Sequence, residues 1–369
     1  MDRNLGLQAK NAQAFSAFNL ITACILLLLT VLFAFREIYS PDIGFHLRAG
    51  EWILEHAKFP DKDTFTYTAS QNNYIDMYWL YQVAVAAVNK ISGEFGLVLS
   101  NALLIAASFA IALFRLHRKQ SIEATPHWSL VFFIGIWAAA LLFEPRPHAF
   151  SWLYLNVVLL ILDDHYERGS GRLFLLPVIM LLWTNTHTLF LLGWVVIWAY
   201  VVGIAWRDRK VWTPLTLYAI LSVAVSFINP YFLQGVGLPF YQYQFLQNAS
   251  VFKGFIAEYV SPLDLDTYMV NGRFVFLQPL SGFHLFLLLS IVTFVRRLTR
   301  VQLHEVIIFG LFLYISTTGV KNVGYFIFTV LPMTVIGLSR NARAVPALDR
   351  KSTRLNSSHI QKSRMPSSA

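Results

Sequence analysis

The sequence contains few charged residues and almost no cysteine. Asp, Glu, Lys and Arg make up only 13% of its 369 residues, whereas a soluble globular domain carries about 25%. Its single cysteine, Cys24, excludes an intrachain disulfide, so cysteine usage gives no information about the compartment. Internal repeats and low-complexity segments are also lacking. These absences argue against a soluble domain, a disulfide framework and a repeat architecture.

Hydrophobic and aromatic residues are abundant instead. Hydrophobic residues form 56% of the chain, with 31 Phe, 16 Tyr and 10 Trp, and the mean hydropathy is +0.53. A membrane-spanning helix needs about 20 mostly apolar residues, and aromatic side chains favour membrane interiors and interfaces. The composition therefore predicts an integral membrane protein. The formal net charge of +9 is attributed to basic loops and a basic tail, and no nucleic-acid partner is predicted.

Ten apolar runs predict an all-α, polytopic transmembrane bundle with about ten spans. Lys and Arg cluster in every second connection, which the positive-inside rule assigns to the cytoplasm, and these charges are interpreted as ordinary loop or snorkelling residues. The stretch 173–205 has a basic residue at each end, so a helical hairpin turning at Asn185-Thr186-His187 is predicted. The runs are 14–36, 97–114, 128–143, 147–163, 173–184, 188–205, 213–229, 280–295, 303–319 and 323–339.

Two long connections lie on the outer side in this topology, at about 37–95 and 229–280. The first carries more acidic than basic residues, as expected on the translocated side of a membrane. It is predicted to contain a helix over 43–57 and an aromatic-rich interfacial helix over 76–89. Residues 1–348 are predicted to form a single membrane domain.

Polar residues that could take part in catalysis or binding gather at the outer ends of the predicted spans. Ionisable residues at membrane depth are costly and by default suggest a functional cavity. Here the candidates come from separate segments but share one face. They are Asp42 and His46 after the first span, Glu144, Arg146 and His148 between the third and fourth, Asn185 and His187 in the hairpin turn, Asn229, Glu258 and Asp266 in the second loop, and Lys321 and Asn322 between the last two spans.

Each of these residues also has an ordinary structural interpretation. Asp42 can N-cap the loop helix, and His46, four residues later on the same helix face, can be a satisfied interfacial histidine. Arg146 can bind lipid phosphate or snorkel, His187 can cap the turn, and Lys321 can be a plain interface lysine. The co-location of these residues carries more weight than any one of them.

The acidic pair Asp61 and Asp63, which flanks Lys62, is a weak candidate for a metal site. Carboxylates are common ligands of hard divalent cations, but such pairs are also frequent in loops. The prediction is therefore that no cofactor is bound, with a divalent cation at Asp61 and Asp63 left open.

Several short motifs occur together along the chain. They are residues 41–53 (PDIGFHLRAGEWI), 59–68, Trp79-Leu80, 146–151, 183–187, Asn229-Pro230-Tyr231, 258–262 and Lys321-Asn322. In combination they resemble bacterial membrane glycosyltransferases of the GT-C fold, in an uncharacterised branch, over nearly the whole chain up to Leu348. The sequence departs from the family pattern at Ile43-Gly44-Phe45, where tryptophans are common, at Thr188-Leu189, where two glycines are common, and at Lys321, where arginine is common.

The resemblance implies transfer of a sugar from a polyprenyl-phosphate carrier to a lipid, glycan or protein acceptor, at the outer face of the bacterial inner membrane. It maps the acidic residue of the first loop onto Asp42. The acceptor hydroxyl must lose its proton, so Asp42 is predicted to be the general base, and His46 to orient it or share the proton. The predicted phosphate- and substrate-binding residues are Arg146, His148, Asn185, His187, Glu258 and Lys321.

Other functions place charges in a membrane cavity as well. A transporter or flippase of a lipid-linked or polar solute is the main alternative, although such proteins commonly show internal repeats and a site near the midplane. A polymerase or ligase of surface polysaccharide is chemically close to the first prediction. A scaffold without catalytic activity would not explain why the polar residues lie on one face.

The last 21 residues, Asp349 to Ala369, differ in character from the rest. One interpretation is a basic cytoplasmic tail. The other, which we favour, is a translated DNA library adapter, because standard adapter codons reproduce Asp349 to His359 and Ser363 to Ala369. On that interpretation the natural chain is expected to continue past Leu348 and to be truncated here.

Overall fold

A computed structural model describes residues 2–119, 127–169, 172–248, 256–270 and 273–338. The adapter-like segment 349–369 lies outside these residues. The described part is almost entirely helical, which confirms the all-α prediction. Its helices are α1 (Asp2–Ala34), α2 (Asp42–His56), α3 (Trp79–Arg118), α4 (Trp128–Ala139), α5 (His148–Arg168), α6 (Leu175–Thr184), α7 (Leu191–Asp208), α8 (Pro214–Val225), α9 (Phe232–Asn248), α10 (Pro279–Arg296), α11 (Leu303–Thr317) and α12 (Val323–Leu338).

One small hairpin interrupts the helices. Strands β1 (Met269–Val270) and β2 (Arg273–Phe274) pair antiparallel in the second outer loop. Short 3-10 turns cover Tyr67–Ala69, Ala140–Leu142 and Thr188–Phe190. Further turns of this kind cover Ala257–Tyr259, Leu265–Tyr268 and Val320–Asn322.

Each of the ten predicted runs lies in a different helix, but the helices differ in length. Five are long and apolar enough to cross a membrane, by length and composition. Four more apolar helices have only 10–17 residues. The one remaining run, 147–163, lies in α5, which carries Asp163 and Asp164 near its end. The structure thus supports a membrane-embedded protein with several spans. The five long segments are Ala17–Ala34, Trp79–Arg118, Thr188–Asp208, Pro279–Arg296 and Val320–Leu338.

The predicted break in the stretch 173–205 is confirmed. Helix α6 ends at Thr184, and the backbone of His187 is extended, with φ −158° and ψ 138°. After a short 3-10 turn, α7 begins at Leu191. The extended residue interrupts the helical hydrogen bonds and lets the chain reverse.

The helices predicted in the first outer loop are also present. Helix α2 covers Asp42–His56, close to the predicted range. The predicted interfacial helix is the first part of α3, which extends to Arg118 past Gly93. Gly93 has φ 61° and ψ −158°, a conformation that is essentially restricted to glycine. The chain therefore changes direction at Gly93, near the predicted end of the loop.

Helix α12 is the centre of the bundle. It packs against α3, α4, α5, α10 and α11, and most of its residues are buried. A Cβ at Gly324 would lie 2.4 Å from the indole of Trp152, so only glycine allows α5 and α12 to approach this closely. By contrast, only 17% of Ala17–Ala34 is buried, which leaves most of the α1 surface for lipid.

The basic residues at the C-terminal end of α3 are not ordinary loop charges, contrary to the prediction. The side chain of Arg115 is 1% exposed, and its Nε lies 3.1 Å from Asp163 Oδ2. Lys119 Nζ lies 3.0 Å from Asp163 and 2.8 Å from Glu167, and the Tyr200 hydroxyl donates to Asp163 at 2.7 Å. Acidic residues one turn apart on α5 meet these cations inside the bundle. The sequence pattern of basic connections does not reveal such partners.

Candidate functional site

Arg146 joins three segments that are far apart in the sequence. Its Nη2 lies 3.3 Å from Asp42 Oδ2 at the start of α2, and its Nη1 is paired with Glu258 of the second outer loop. Its Nε donates to Ser40 Oγ at 2.9 Å. Each of the three guanidinium nitrogens thus has a separate partner. Arginine suits this position because its rigid, planar guanidinium carries five N–H donors. We call Asp42, Arg146 and Glu258 the ion-pair cluster.

Asp42 is the first helical residue of α2 and not its N-cap. The N-cap is Pro41, and no side chain caps the helix there. The ordinary interpretation of Asp42 as a capping residue is therefore wrong. Its carboxylate lies in the first turn, where a negative charge is favoured by the helix dipole, and its side chain is 52% exposed. An exposed, oriented carboxylate is accessible to an incoming group.

His46 lies one turn after Asp42 but has different partners. It is 7% exposed, its Nδ1 lies 3.4 Å from Gln82 Nε2, and its ring packs edge-on against Tyr81 at 5.0 Å. Burial lowers the pKa of His46 to about 4, with Asp42 acting to raise it and Arg146 to lower it. The imidazole is therefore uncharged at neutral pH. Within the described chain, no hydrogen bond joins Asp42 and His46, so the predicted direct sharing of a proton is not seen.

Asp76 is a buried carboxyl group that the sequence analysis did not single out. It is 5% exposed and accepts hydrogen bonds from the Tyr78 amide at 2.7 Å, the Tyr74 hydroxyl at 2.9 Å and Gln82 Nε2 at 2.5 Å. Burial raises the pKa of Asp76, and these three hydrogen bonds oppose the shift. The sequence feature that could have pointed to Asp76 is its position among Tyr74, Met77 and Tyr78, just before an amphipathic helix.

His187 connects the hairpin turn to α5 and α12. Its Nδ1 lies 2.7 Å from Ser151 Oγ and 3.5 Å from the Tyr325 hydroxyl. The same Ser151 oxygen accepts from Trp183 Nε1 at 2.7 Å. Because that oxygen accepts from the indole, the serine hydroxyl hydrogen is free to be donated to His187. The ring of His187 also lies 5.7 Å from that of Tyr78, which places it beside the residues around His46.

Asn185 uses both of its amide hydrogens within the fold. Its Nδ2 donates to the carbonyls of Leu181 and Ile228, each at 2.9 Å, and its Oδ1 accepts from Trp79 Nε1 at 2.8 Å. These bonds hold the hairpin turn to the start of α3 and the end of α8. A substrate would meet only the remaining lone pair of Oδ1, and the role predicted for Asn185 in substrate binding stays a prediction.

The second outer loop is attached to the start of α12. The Val320 amide donates to the Val260 carbonyl at 3.0 Å, and a Cβ at Gly319 would lie 2.8 Å from the Glu258 carbonyl oxygen. Lys321 Nζ lies 3.8 Å from the centre of the Tyr259 ring, a cation–π contact. Glu258 and Lys321 are therefore brought to the same end of the bundle as Arg146.

A cavity of about 550 Å³ adjoins the ion-pair cluster. Arg146 and Glu258 belong to both, while Asp42 is linked to the cavity through its contact with Arg146. His148, also in the wall, has its Nε2 2.9 Å from the Leu142 carbonyl, so that nitrogen carries a proton and donates. Apolar residues such as Leu142 and Leu280 form much of the wall, and its remaining polar residues are Glu144, Asp264, Asp266, Thr267 and Gln278.

The residues Asp61 and Asp63 form part of a turn. Asp63 Oδ1 accepts from the amides of Phe65 at 3.0 Å and Thr66 at 2.9 Å, and the Asp61 carbonyl accepts from the Tyr74 amide at 3.0 Å. Across the ranges that the structure describes, no group of three or more His, Cys, Asp or Glu is arranged to hold a metal ion. The contacts of Asp63 account for its presence in the loop without a cation.

Comparison with known proteins finds no match among protein-family models, curated proteins or solved structures. No relative therefore supplies a family, a fold name or a site for this chain.

Proposed function

We propose that this chain is a membrane glycosyltransferase that moves a sugar from a polyprenyl-phosphate carrier to a lipid, glycan or protein acceptor. The proposal includes a ten-span, GT-C-like bundle in the bacterial inner membrane, with the site facing outward. The observation that carries it is the ion-pair cluster, in which Arg146 holds two carboxylates from different outer loops beside a cavity. Ionisable groups at membrane depth are costly and by default suggest a functional site.

Asp42 is assigned the role of general base. In the reaction, the acceptor oxygen attacks the anomeric carbon, the bond from that carbon to the phosphate oxygen breaks, and polyprenyl phosphate leaves. The acceptor proton passes to the Asp42 carboxylate. The exposure of this side chain allows a hydroxyl group to reach it, and Arg146 fixes its orientation.

The leaving phosphate is assigned to the cations at the same end of the bundle. Lys321 extends over Tyr259, and Arg146 is a bidentate phosphate ligand when one of its carboxylate partners moves away. Glu258 is assigned as the partner whose side chain moves, because it lies in a single 3-10 turn, whereas Asp42 begins a helix of 15 residues. His46, His148 and His187 supply hydrogen-bonding groups around the site, and Asn185 fixes the turn that carries His187.

The test is a transfer assay in membranes that contain the chain, with radiolabelled polyprenyl-phosphate sugars and the Asp42→Asn variant. We expect label to move to an acceptor with the parent chain and transfer to fall at least about 100-fold with Asp42→Asn, the size typical of a lost general base. Glu51→Gln is the matched control, since Glu51 lies on the same helix in an exposed pair with Arg48. Full transfer by Asp42→Asn at equal expression would overturn the mechanism.

A transporter or flippase remains the competing function, and solute flux distinguishes it. Transporter sites typically lie near the midplane on interrupted helices, whereas the residues assembled around Arg146 come from helix starts and outer loops. Proteoliposomes loaded with lipid-linked sugar provide the second measurement. Movement of intact lipid-linked sugar across the bilayer, without its consumption, would replace the transferase proposal by the transporter.

A further inference from the structure

Asp76, Gln82 and His46 form a chain of hydrogen bonds between α2 and the start of α3. The amide nitrogen of Gln82 lies 2.5 Å from Asp76 Oδ2 and 3.4 Å from His46 Nδ1. Gln82 is completely buried. The backbones of the two helices touch here, because a Cβ at Gly50 would lie 2.1 Å from the Gln82 carbonyl oxygen. The positions of all three side chains are therefore set by close packing.

The direction of these hydrogen bonds follows from the chemistry of the amide. A glutamine nitrogen has two hydrogens and accepts nothing, so it donates one to the Asp76 carboxylate and the other to His46 Nδ1. His46 Nδ1 is then the acceptor, and the proton of the uncharged imidazole resides on Nε2. The second nitrogen of the ring is thereby left as a donor.

We propose that Asp76, acting through Gln82, determines which ring nitrogen of His46 carries the proton, and that Asp76 is therefore a positioning residue of this site. The carboxylate accepts only, which obliges Gln82 to present its nitrogen. The amide orientation obliges His46 to accept at Nδ1. The assignment of Asp76 rests on these contacts alone, while its consequence for catalysis, a His46 that donates from Nε2, rests on the proposed function.

Replacement of Asp76 by asparagine reverses the direction of these hydrogen bonds. The Oδ1 position must still accept from the Tyr78 amide, so the new amide nitrogen takes the position of Oδ2 and faces Gln82 as a donor. Gln82 then has to turn its Oε1 towards it. That oxygen is also next to His46, which must donate from Nδ1, so the imidazole proton moves from Nε2 to Nδ1 with no change in ring charge.

The reversed arrangement is sterically and electrostatically accessible. In the parent chain Gln82 Oε1 has no hydrogen-bond partner among the residues that the structure describes, so the flip exchanges one unpartnered group for another. The charged groups that act on His46, Asp42 and Arg146, are unchanged by the substitution. The Tyr74 hydroxyl, which donates to Asp76 Oδ2 at 2.9 Å in the parent chain, accepts from the new amide nitrogen instead, because a phenol oxygen can do either.

The experiment is nitrogen NMR of the full chain in lipid bilayers at pH 7, with ¹⁵N-labelled histidine. The His46 signals are assigned by their loss in His46→Gln. We expect the proton on Nε2 in the parent and on Nδ1 in Asp76→Asn. Asp61→Asn is the matched control, since its exposed carboxyl lies in the same loop, and it should leave the tautomer unchanged. The same His46 tautomer in parent and Asp76→Asn would overturn the proposal.

A second variant covers the case in which Asp76→Asn does not fold. Gln82→Met keeps the volume of the side chain and removes the amide that links the two residues. We expect His46 to lose its single fixed tautomer and to show both forms. A persistent, pure Nε2–H form in this variant would mean that Gln82 does not transmit the effect, and would also overturn the proposal.

The two proposals fail independently. A tautomer change in Asp76→Asn together with no sugar transfer by the parent chain would leave the role of Asp76 intact and remove the transferase. Sugar transfer by the parent with an unchanged tautomer in Asp76→Asn would do the reverse.

Discussion

Arg146 shows what a single side chain contributes at this site. It lies between Pro145 and Pro147, neither of which has a backbone N–H to donate, in the short connection between α4 and α5. From there its guanidinium contacts Ser40, Asp42 and Glu258. Removing it would leave Asp42 and Glu258 without the guanidinium that joins them. Its effect on stability and its effect on function are therefore expected together.

We expect Arg146→Gln to lower the free energy of unfolding by about 1–2 kcal/mol, the size of a hydrogen-bonded ion pair that is partly exposed. Thermal unfolding of the purified chain in detergent, followed by tryptophan fluorescence, is the measurement. Arg48→Gln serves as the control, because the pair of Arg48 with Glu51 is exposed and should contribute almost nothing. Equal losses in the two variants would contradict the interpretation.

His46 should make folding stability depend on pH. Burial lowers the pKa of His46 from 6.5 to about 4 in the folded chain, so the unfolded chain binds a proton first as the pH falls. Stability is then lost between about pH 6.5 and pH 4 and is unaffected by this group above that window. We expect His46→Gln to flatten the stability curve in this window, as measured by unfolding at several pH values.

The control for that measurement is His56→Gln, since the ring of His56 is on the surface, stacked on Trp52. It should keep the slope of the parent. A His46→Gln curve parallel to that of the parent would show that burial of His46 does not favour its neutral form.

At the scale of elements, the direction of α3 depends on one glycine. The segment before Gly93 packs on α2 with Gln82 and Tyr81, and the segment after it continues to Arg118 in the bundle. No atom lies within 4 Å of a Cβ built on Gly93. The requirement for glycine is therefore one of backbone conformation and not of space.

We expect Gly93→Ala to destabilise the chain by about 1–3 kcal/mol, the cost of a non-glycine residue in this region of φ and ψ. The matched control is Gly44→Ala in α2, where a Cβ also meets nothing within 4 Å and the backbone is helical. Alanine there should stabilise by about 0.5–1 kcal/mol. We expect the two variants to change the stability measured by thermal unfolding in opposite directions. A Gly93→Ala variant with unchanged stability would show that the kink is not essential.

At the scale of the whole molecule, two polar clusters lie at opposite ends of α5. The ion-pair cluster lies next to its start, and the pairs of Asp163 with Arg115 and Lys119 lie near its end. The cluster around Asp163 also includes Tyr200 of α7 and the Phe328 carbonyl of α12. It thus ties four helices together around a buried, paired set of charges.

We expect Arg115→Met to lower stability by about 3–5 kcal/mol, because it leaves Asp163 buried with fewer partners. The double variant Arg115→Met with Asp163→Asn removes the unpaired charge and leaves Lys119 paired with Glu167. It should be more stable than Arg115→Met alone by at least about 1 kcal/mol. Losses that simply add would show that the two side chains act separately.

The orientation of the bundle is tested by labelling from one side. In a Cys24→Ser background, Ser70→Cys lies in the first outer loop and Lys210→Cys in a basic connection, both at exposed positions. We expect a membrane-impermeant maleimide to label Ser70→Cys in intact cells and Lys210→Cys only after permeabilisation. The opposite result would place the ion-pair cluster on the cytoplasmic side and contradict the positive-inside assignment.

Most of the helices were predictable because they follow from local composition. A run of apolar residues bounded by charges has to form its hydrogen bonds internally in a bilayer, which selects a helix whatever it packs against. The break at Asn185-Thr186-His187 was predicted for a different reason, the basic residue at each end of 173–205. Short helices mark the limit of such predictions. Helices α6 and α8 have 10 and 12 residues, and these lengths do not determine how each helix crosses or enters a membrane.

The sequence by itself determined that this chain is helical, membrane-embedded and polar at a particular set of helix ends, because hydropathy and charge are properties of short segments. Only the tertiary structure decided the partners: Asp42 with Arg146 instead of a helix cap, His46 with Gln82 instead of Asp42, and Arg115 with Asp163 instead of water. Asp76 was likewise identified only from its contacts in the structure. Partners depend on which segments meet in space, and contacts between residues tens of positions apart leave no mark on local composition.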